Sequence, residues 1–407
     1  MSGTVVVAGA GLAGLRAVEQ LRAAGWTEQI VAVGDEHHPP YNRPPLTKEA
    51  LRNGIDLPTL MFRQRASTAD VEWRLGTAVT GVDLDAHEVL LDDGTRLTYD
   101  GLVIATGVRS RRLALDAPEA WRHTIRRIED AQALRSRLVT GARVVVIGAG
   151  FIGCEVAAAA VSAGCTVTVV EPFATPLQGP VGSLVGSEVQ RRHEEHGVEF
   201  RLGRTVAGID GTDGPTGVLL DDGSRIEADV VVEAVGSAAN TGWLEDHDLD
   251  LSNGVLCDAD MHPLTSTGSV PDVVAVGDVA RFPYALYGGE SYRIEHWTLP
   301  TDTAGHAARS LVGAITGRPV DGPAFAPMPT FWSDQYGMRI QSFGIPALGT
   351  DDVRVLEGDL QDEAVVGYHR DGGLVGLVLF GMTKRMLHYR TQLVDATTPT
   401  QVEELAG

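Results

Sequence analysis

The sequence predicts an α/β protein with two similar parallel-sheet domains and a C-terminal α+β domain. Three observations predict it. A short apolar strand, a turn holding three glycines and a helix occur twice, in "TVVVAGAGLAGLRAVEQL" from Thr4 and "RVVVIGAGFIGCEVAAAA" from Arg143. Each copy is followed by a related stretch, "EVLLDDGTRLTYDGLVIATG" and then "GVLLDDGSRIEADVVVEAVG", so the chain is internally duplicated at a spacing of 139 residues from Gly9 to Gly148. From Arg318 the run "RPVDGPAFAPMP" is rich in proline and glycine and marks a linker to the C-terminal stretch.

In chain order, Thr4 to about Leu51 reads as alternating strand, glycine turn and helix. "EVLLDDGTRLTYDGLVIATG" is a hairpin followed by a buried strand. A second round runs from about Arg143 to Glu171. "PDVVAVGD" is a further strand and "TAGHAARSLVGAITG" a helix; beyond the linker, strands with a hairpin at "RDGGLVG" precede a last helix. The predicted domains are 1–111 with 239–318, 112–238, and 319–407.

Composition narrows the function. The chain has 407 residues, 43% of them hydrophobic, long enough for two or three domains that each bury a core. No stretch approaches the roughly 18 apolar residues of a membrane helix. The strand at Thr4 leaves no room for a leader in this sequence, so a cytoplasmic enzyme is expected. Cys154, Cys165 and Cys257 form no close pair, which argues against disulfides and a zinc site. A net charge of -21 disfavours nucleic acid and anionic membranes. Against that background, Arg109 to Arg143 holds nine arginines and four acids, either a solvated connector or a face for an acidic or phosphate-bearing partner.

The glycine turns carry the chemistry. In "VAGAGLAG", Gly9 permits the tight turn, Gly11 lets the backbone approach a pyrophosphate, and Gly14 lets helix and strand pack closely; Ala13 lies in the same loop. The helix N-terminus adds free N–H groups and a partial positive charge. Asp35, with Glu36 as the near alternative, follows the next strand where an acid can bind ribose hydroxyls. In "VIGAGFIG" the corresponding residues are Gly148, Gly150 and Gly153, with Phe151 and Ile152 opening the helix, and Gly236 ends the later strand. Glu171 ends strand "CTVTVV". Its carboxylate suits a 2′-hydroxyl and repels a 2′-phosphate, and no arginine or lysine follows until Arg191, so NADH is expected over NADPH. Both domains are thus Rossmann-like.

The succession of first fingerprint, "PPYNRPPLTKEAL", "VIATG", second fingerprint, "VVAVGD" and "FWSDQYG" resembles the FAD-dependent NAD(P)H:ferredoxin reductases of bacterial oxygenase systems, the putidaredoxin-reductase and rubredoxin-reductase group. The resemblance runs from Thr4 to about Tyr389, and implies a glutathione-reductase-like arrangement with FAD in the discontinuous first domain and NADH in the second. It implies that Thr106, Gly107, Gly277 and Asp278 line the FAD site. By the same likeness Arg43, Lys48, Val79, Arg126 and Trp297 approach that cofactor, and Lys48 pairs beside the flavin with Glu155, the two candidate catalytic residues.

The implied function is transfer of a hydride from NADH to FAD and of single electrons to an iron-sulfur ferredoxin that serves a monooxygenase or dioxygenase. "FWSDQYG" would bring Trp332 and Asp334 to the flavin side, while Thr330 stands where relatives often carry a tryptophan, pointing to a different ferredoxin. An acidic ferredoxin would suit Arg109, Arg111 and Arg112, or Arg309 with Lys384, Arg385 and Arg390. A monomer or weak dimer is expected. Two rivals share the fold: an apoptosis-inducing-factor-like redox protein that responds to NADH, and a cysteine-dependent NADH oxidase or disulfide reductase. The latter needs a reactive cysteine early in the chain, whereas the first is Cys154.

Overall fold

Val5, Val6, Val7 and Ala8 of strand Thr4–Ala8 have no solvent exposure. Parallel strands read as continuous apolar runs because both sheet faces are covered. This strand is the middle of a five-stranded parallel sheet ordered Val273–Ala275, Gly101–Ile104, Thr4–Ala8, Gln29–Gly34, Glu72–Leu75. Helix Leu12–Ala23 buries Leu15, Val18 and Leu21 and packs on helix Leu299–Thr316, which buries Ala304, Ala308 and Leu311.

The computed structural model describes residues 3–322 and 325–397. The chain divides into two compact units: one holds the chain up to Asn42 with Pro58–Arg109 and Ala238–Pro329, the other Arg43–Leu57, Ser110–Ser237 and the chain from Thr330. The second unit has its own five-stranded parallel sheet, ordered Val198–Leu202, Thr166–Glu171, Arg143–Ile147, Val230–Glu233, Arg122–His123. Its three central strands are again valine-rich and buried.

The duplication extends to the antiparallel three-stranded sheets after each glycine loop, Val79–Asp83 with Glu88–Leu91 and Arg96–Thr98, and Val206–Gly211 with Pro215–Leu220 and Arg225–Glu227. In both, the "LLDDG" turn closes with a leucine N–H on the carbonyl four residues on, Leu91 to Thr95 and Leu220 to Ser224, at 2.9 Å each.

The C-terminal stretch forms an antiparallel sheet ordered Thr330–Gln335, Met338–Gly344, Gly373–Phe380, Ala364–Arg370, Val353–Gly358, with helix Met386–Thr397 against it. Two hairpins fix its register. At each, two successive residues take positive φ, Tyr336 (51°) with Gly337 (79°) and Asp371 (54°) with Gly372 (80°), as a two-residue hairpin turn of type I′ demands.

Residues 43–57, placed by sequence in the first domain, belong to the second unit, and so does the sheet from Thr330, which the sequence set apart. The physical reason is packing of both segments on helix Phe151–Ser162, whose buried carboxylate, Glu155, is bonded by Thr47 and Lys48 of the first segment and by Ser333 of the other. Among the described residues no helix is long and apolar enough to cross a membrane.

Candidate functional site

The two glycine loops are built alike. Gly9 N–H donates to Val33 O at 2.8 Å and Gly148 N–H to Val170 O at 2.8 Å, which turns each chain off its strand. Both residues have positive φ, 120° and 100°, and a Cβ would lie 2.2 Å from Ala105 O or 2.4 Å from Ala234 O. Only glycine fits. A Cβ on Gly14 would lie 1.8 Å from Gly9 O, and one on Gly153 would lie 2.0 Å from Gly148 O, so the third glycine is required by helix and strand packing.

The second glycine differs in kind. Gly150 is the N-cap of helix Phe151–Ser162 with φ -71° and ψ -177°, a conformation open to any residue, and a Cβ there would meet nothing within 4 Å. The fold itself has no use for glycine at this place. What the missing side chain keeps clear is the space before the helix N-terminus, where unpaired N–H groups face outward, and that cradle fits a pyrophosphate. Gly11 is the equivalent N-cap of helix Leu12–Ala23.

The acids are held differently. Glu171 is buried at 7% exposure and accepts from Ala149 N–H at 2.6 Å and Phe173 N–H at 3.1 Å, which ties it to the glycine loop. In the first unit Asp35 is exposed, while half-buried Glu36 accepts from Tyr41 Oη at 2.6 Å. The sequence places no cation near Glu171 before Arg191; the structure brings Arg204 there, its N–H donating to Glu171 O at 3.2 Å and its side chain 2.8 Å from Asp222.

Other first-unit candidates gather at that loop. The carbonyl next to Gly9 belongs to Ala105, which places Thr106 and Gly107 beside it. Thr106 is clamped by Asn240, donating to Asn240 O at 2.7 Å and accepting at its own carbonyl from Nδ2 at 2.9 Å; Asn240 had no signal in the sequence. Gly277 has φ 73°, its Cβ would lie 2.9 Å from that of Ala13, and Thr303 Oγ1 accepts its N–H at 3.0 Å. Asp278 follows, its carbonyl accepting from Arg293. Trp297 is exposed and donates through Nε1 to Asn42 Oδ1 at 2.9 Å. Val79 is half-buried on its strand, paired with Leu91. Arg43 and Arg126 lie in the second unit, where the Arg43 guanidinium donates to Arg126 O at 2.9 Å. Phe151 meets the Phe331 ring edge-on at 4.5 Å, Ile152 is exposed, and Gly236 has φ 92°.

Lys48 and Glu155 form a buried ion pair, Nζ to Oε2 2.7 Å, at 8% and 6% exposure. Lys48 Nζ also donates to Pro44 O and Thr47 Oγ1, both 3.3 Å, so each ammonium proton has an acceptor. Thr47 Oγ1 donates to Glu155 Oε2 and Ser333 Oγ to Oε1 at 2.6 Å. A buried pair persists only when its remaining hydrogen-bonding capacity is met in this way. Thr47, Ser333 and Gln335 were not singled out by sequence. The signal was alternation: in "FWSDQ" the inward residues are the polar Ser333 and Gln335, while Trp332 and Asp334 are half-buried beside Arg339, whose guanidinium carbon is 5.4 Å from the Trp332 ring centre.

Three arginines of the arginine-rich stretch are held in carboxylate pairs within the second unit. Buried Glu233 accepts from Arg122 at 3.1 Å, Arg112 at 3.2 Å and Leu113 N–H at 3.0 Å. Arg143 bonds Asp229 and Glu227. Arg109 and Arg111 remain exposed, anchored to Ala239 O and Ser237 O. The three cysteines are all buried, and burial pushes each thiol up, away from the thiolate a redox cysteine needs.

The pyridine nucleotide-disulphide oxidoreductase family matches residues 3–304, and the reductase C-terminal family matches 330–407. The ferredoxin–NAD(+) reductase component of the anthranilate 1,2-dioxygenase system of Burkholderia cepacia is 37% identical over 87% of this chain and 84% of its own. The corresponding component of the biphenyl dioxygenase system of Paraburkholderia xenovorans is 32% identical over 100% of this chain and 96% of its own. Among solved structures, the reductase in a covalent putidaredoxin reductase–putidaredoxin complex superposes with a TM-score of 0.88 at 31% identity, covering 97% of this chain and 93% of that one. With two glycine cradles of one design and a C-terminal sheet bonded to the second, this chain belongs to the pyridine nucleotide-disulphide oxidoreductase family and carries its reductase C-terminal domain.

Proposed function

We propose that the chain is an FAD-containing NADH:ferredoxin oxidoreductase that takes a hydride from NADH and passes electrons singly to an iron-sulfur ferredoxin serving an oxygenase. The observation that carries this is the buried Lys48–Glu155 pair, reached from both the "RPPLTK" and "FWSDQY" segments, in a chain whose cysteines are all inert. Relatives named as ferredoxin–NAD(+) reductase components of dioxygenase systems support it.

FAD, when bound, supplies the conversion of a two-electron hydride into single electrons. The chain's own part is binding and electrostatics. The Gly11 cradle takes the FAD pyrophosphate, with Thr106, Gly107, Gly277 and Asp278 around it and Asp35 or Glu36 for the ribose. The Gly150 cradle takes the NADH pyrophosphate, with Glu171 accepting from the adenosine ribose. By the family likeness Lys48 would supply a positive charge beside the flavin, and Glu155 would hold that ammonium in one place, an arrangement suited to stabilising negative charge on the ring. Exposed Arg109 and Arg111 offer an acidic ferredoxin a docking face. The cytoplasmic setting is proposed from three thiols that form no disulfide.

The test is anaerobic stopped-flow absorbance of the yellow protein with NADH or NADPH, with an acidic ferredoxin and cytochrome c as final acceptor. Rapid bleaching by NADH and ferredoxin-dependent cytochrome c reduction are expected. Sluggish bleaching with NADH-driven dimerisation and indifference to ferredoxin would replace this reading with that of an NADH-responsive redox protein.

A further inference from the structure

Behind Glu155 a line of buried polar side chains runs through the second unit. Ser333 Oγ donates to Glu155 Oε1 at 2.6 Å, Gln335 Nε2 to Ser333 Oγ at 3.0 Å, and His193 Nε2 to Gln335 Oε1 at 2.8 Å; Tyr336 Oη lies 3.4 Å from His193 Nδ1. Ser333, Gln335 and His193 are 0%, 2% and 1% exposed.

The polarity of this line is fixed at both ends. Glu155 already has Lys48 and Thr47 as donors on Oε2 and accepts from Ser333 on the other oxygen. Ser333 has one proton, so toward Gln335 it accepts, which leaves the Gln335 carbonyl to receive the His193 N–H. Burial lowers His193 to about 4, so at neutral pH it carries one ring proton, on Nε2, and Nδ1 is free to accept from Tyr336. Every hydrogen bond in the row therefore points the same way, toward the carboxylate. Aligned donors polarise one another and strengthen the last bond of the row.

The elements come from three places in the chain. Glu155 is on the helix of the second glycine loop, His193 is on helix Gln178–Glu195, and Ser333 and Gln335 are inward positions of the edge strand Thr330–Gln335. A carboxylate needing only neutralisation would be served by Lys48 alone. The extra row fixes its orientation.

We propose that Ser333 and Gln335 of the C-terminal sheet, backed by His193, are positioning residues that hold the Glu155 carboxylate in register with Lys48 Nζ. The C-terminal domain thereby sets the electrostatics of the pair. The proposal rests on the reading that this pair acts on the flavin.

The experiment compares holoenzyme carrying Ser333→Ala, Ser333→Thr, Gln335→Met or Glu155→Gln with the parent protein. Flavin midpoint potential is read by equilibrium titration, and the limiting rate of bleaching and the NADH dissociation constant by stopped flow. Glu155→Gln is expected to shift the potential and slow bleaching at least tenfold. Ser333→Ala and Gln335→Met are expected to shift the potential in the same direction by a smaller amount and to slow bleaching about threefold to tenfold, with NADH affinity within twofold. Ser333→Thr, which keeps the hydroxyl, is expected to restore both. Should Glu155→Gln leave potential and rate unchanged, the underlying reading of the pair fails. If it shifts them while folded Ser333→Ala and Gln335→Met match the parent, the positioning proposal alone is overturned. A Ser333→Ala protein that loses its far-ultraviolet dichroism leaves the decision to Gln335→Met, judged by the same two readouts.

Discussion

The two glycine-loop domains agree at their turns and diverge at equivalent positions one helical turn or one strand away. Their loops share hydrogen bonds, positive φ values and close approaches. Seven residues beyond the first glycine, however, helix Leu12–Ala23 carries Arg16, paired with Glu19 on the same helix at 2.7 Å, where helix Phe151–Ser162 carries Glu155, whose partners lie 107, 108 and 178 residues away in sequence. In the sheets, Ile104 is the neighbour of Ala8, whereas Glu233 is the neighbour of Ile147. At these two positions the first domain has an ion pair within one helix and an apolar strand residue, whereas the second has buried carboxylates that tie distant segments together. Duplicated backbones need only a few such exchanges to take on separate tasks.

The sharpest way to break the shared part is at the glycines of the second loop. Gly153→Ala sets a Cβ 2.0 Å from a backbone oxygen that cannot yield, so a loss of about 4 kcal/mol or more, read by urea unfolding, is expected. Gly150→Ala meets nothing within 4 Å and should leave stability within about 1 kcal/mol of the parent while weakening NADH binding at least tenfold. Equal unfolding midpoints for the two variants would refute the division between a packing glycine and a ligand glycine.

Next in size is the exchange of Ile104 for Glu233. Removing both Arg122 and Arg112 leaves a carboxylate that is 2% exposed with no cation, held only by Leu113 N–H, at a cost of about 3–5 kcal/mol. The triple change Glu233→Ile, Arg122→Met, Arg112→Met rebuilds the first domain's apolar solution and should recover most of that loss in the same denaturation experiment. Failure to recover would mean that the arginines serve the fold in some way other than through Glu233.

Legibility in the sequence divides along the same line. The glycine loops, the valine strands, the repeated hairpins and the C-terminal sheet were legible because each is encoded locally, by turn chemistry or by hydrophobic period. Glu155 and Lys48 were identified only through family resemblance. Ser333, Gln335, His193, Thr47 and Asn240 were not identified at all: a buried polar side chain signals nothing until its partner is known, and each of these has a partner 108 to 178 residues away in sequence. The arginine-rich stretch misled in the opposite sense. Clustered in sequence, it reads as a surface field, yet Arg112 and Arg122 turn inward to one glutamate.

His193 extends the comparison to pH. The second domain crosses from Thr166–Glu171 to Val198–Leu202 by the 18-residue helix Gln178–Glu195, which carries this histidine; the corresponding crossing from Gln29–Gly34 to Glu72–Leu75 has only the short helices Glu49–Asn53 and Leu57–Leu60 and 3-10 turns. Burial holds His193 at about 4, against about 6.5 in the unfolded chain, so between those values the unfolded state binds the proton and the native state does not. Stability due to this group is therefore present above pH 6.5 and is lost as pH falls toward 4. Between pH 7 and pH 5 the loss should be about 2 kcal/mol larger in the parent than in His193→Gln, measured by urea unfolding at each pH. Parallel pH profiles would mean that His193 takes up its proton in the folded state.

The smallest expected effect concerns the acids that end the second strand of each sheet. Asp35 is exposed and Glu171 is buried against its loop, so the second site should be the more discriminating toward a ribose. Arg204 is already beside Glu171, restrained by Asp222. Glu171→Gln removes the charge that opposes a 2′-phosphate while keeping an acceptor for Ala149 N–H, and Asp222→Asn weakens the hold on a guanidinium that could then meet that phosphate. The single change should narrow the NADH over NADPH preference in kcat/KM about tenfold, which corresponds to about 1.4 kcal/mol, and the double change should narrow it further. Asp35→Asn in the first domain should leave that ratio unchanged. If it moved the ratio as far as Glu171→Gln does, the two cradles would not be divided between two different nucleotides.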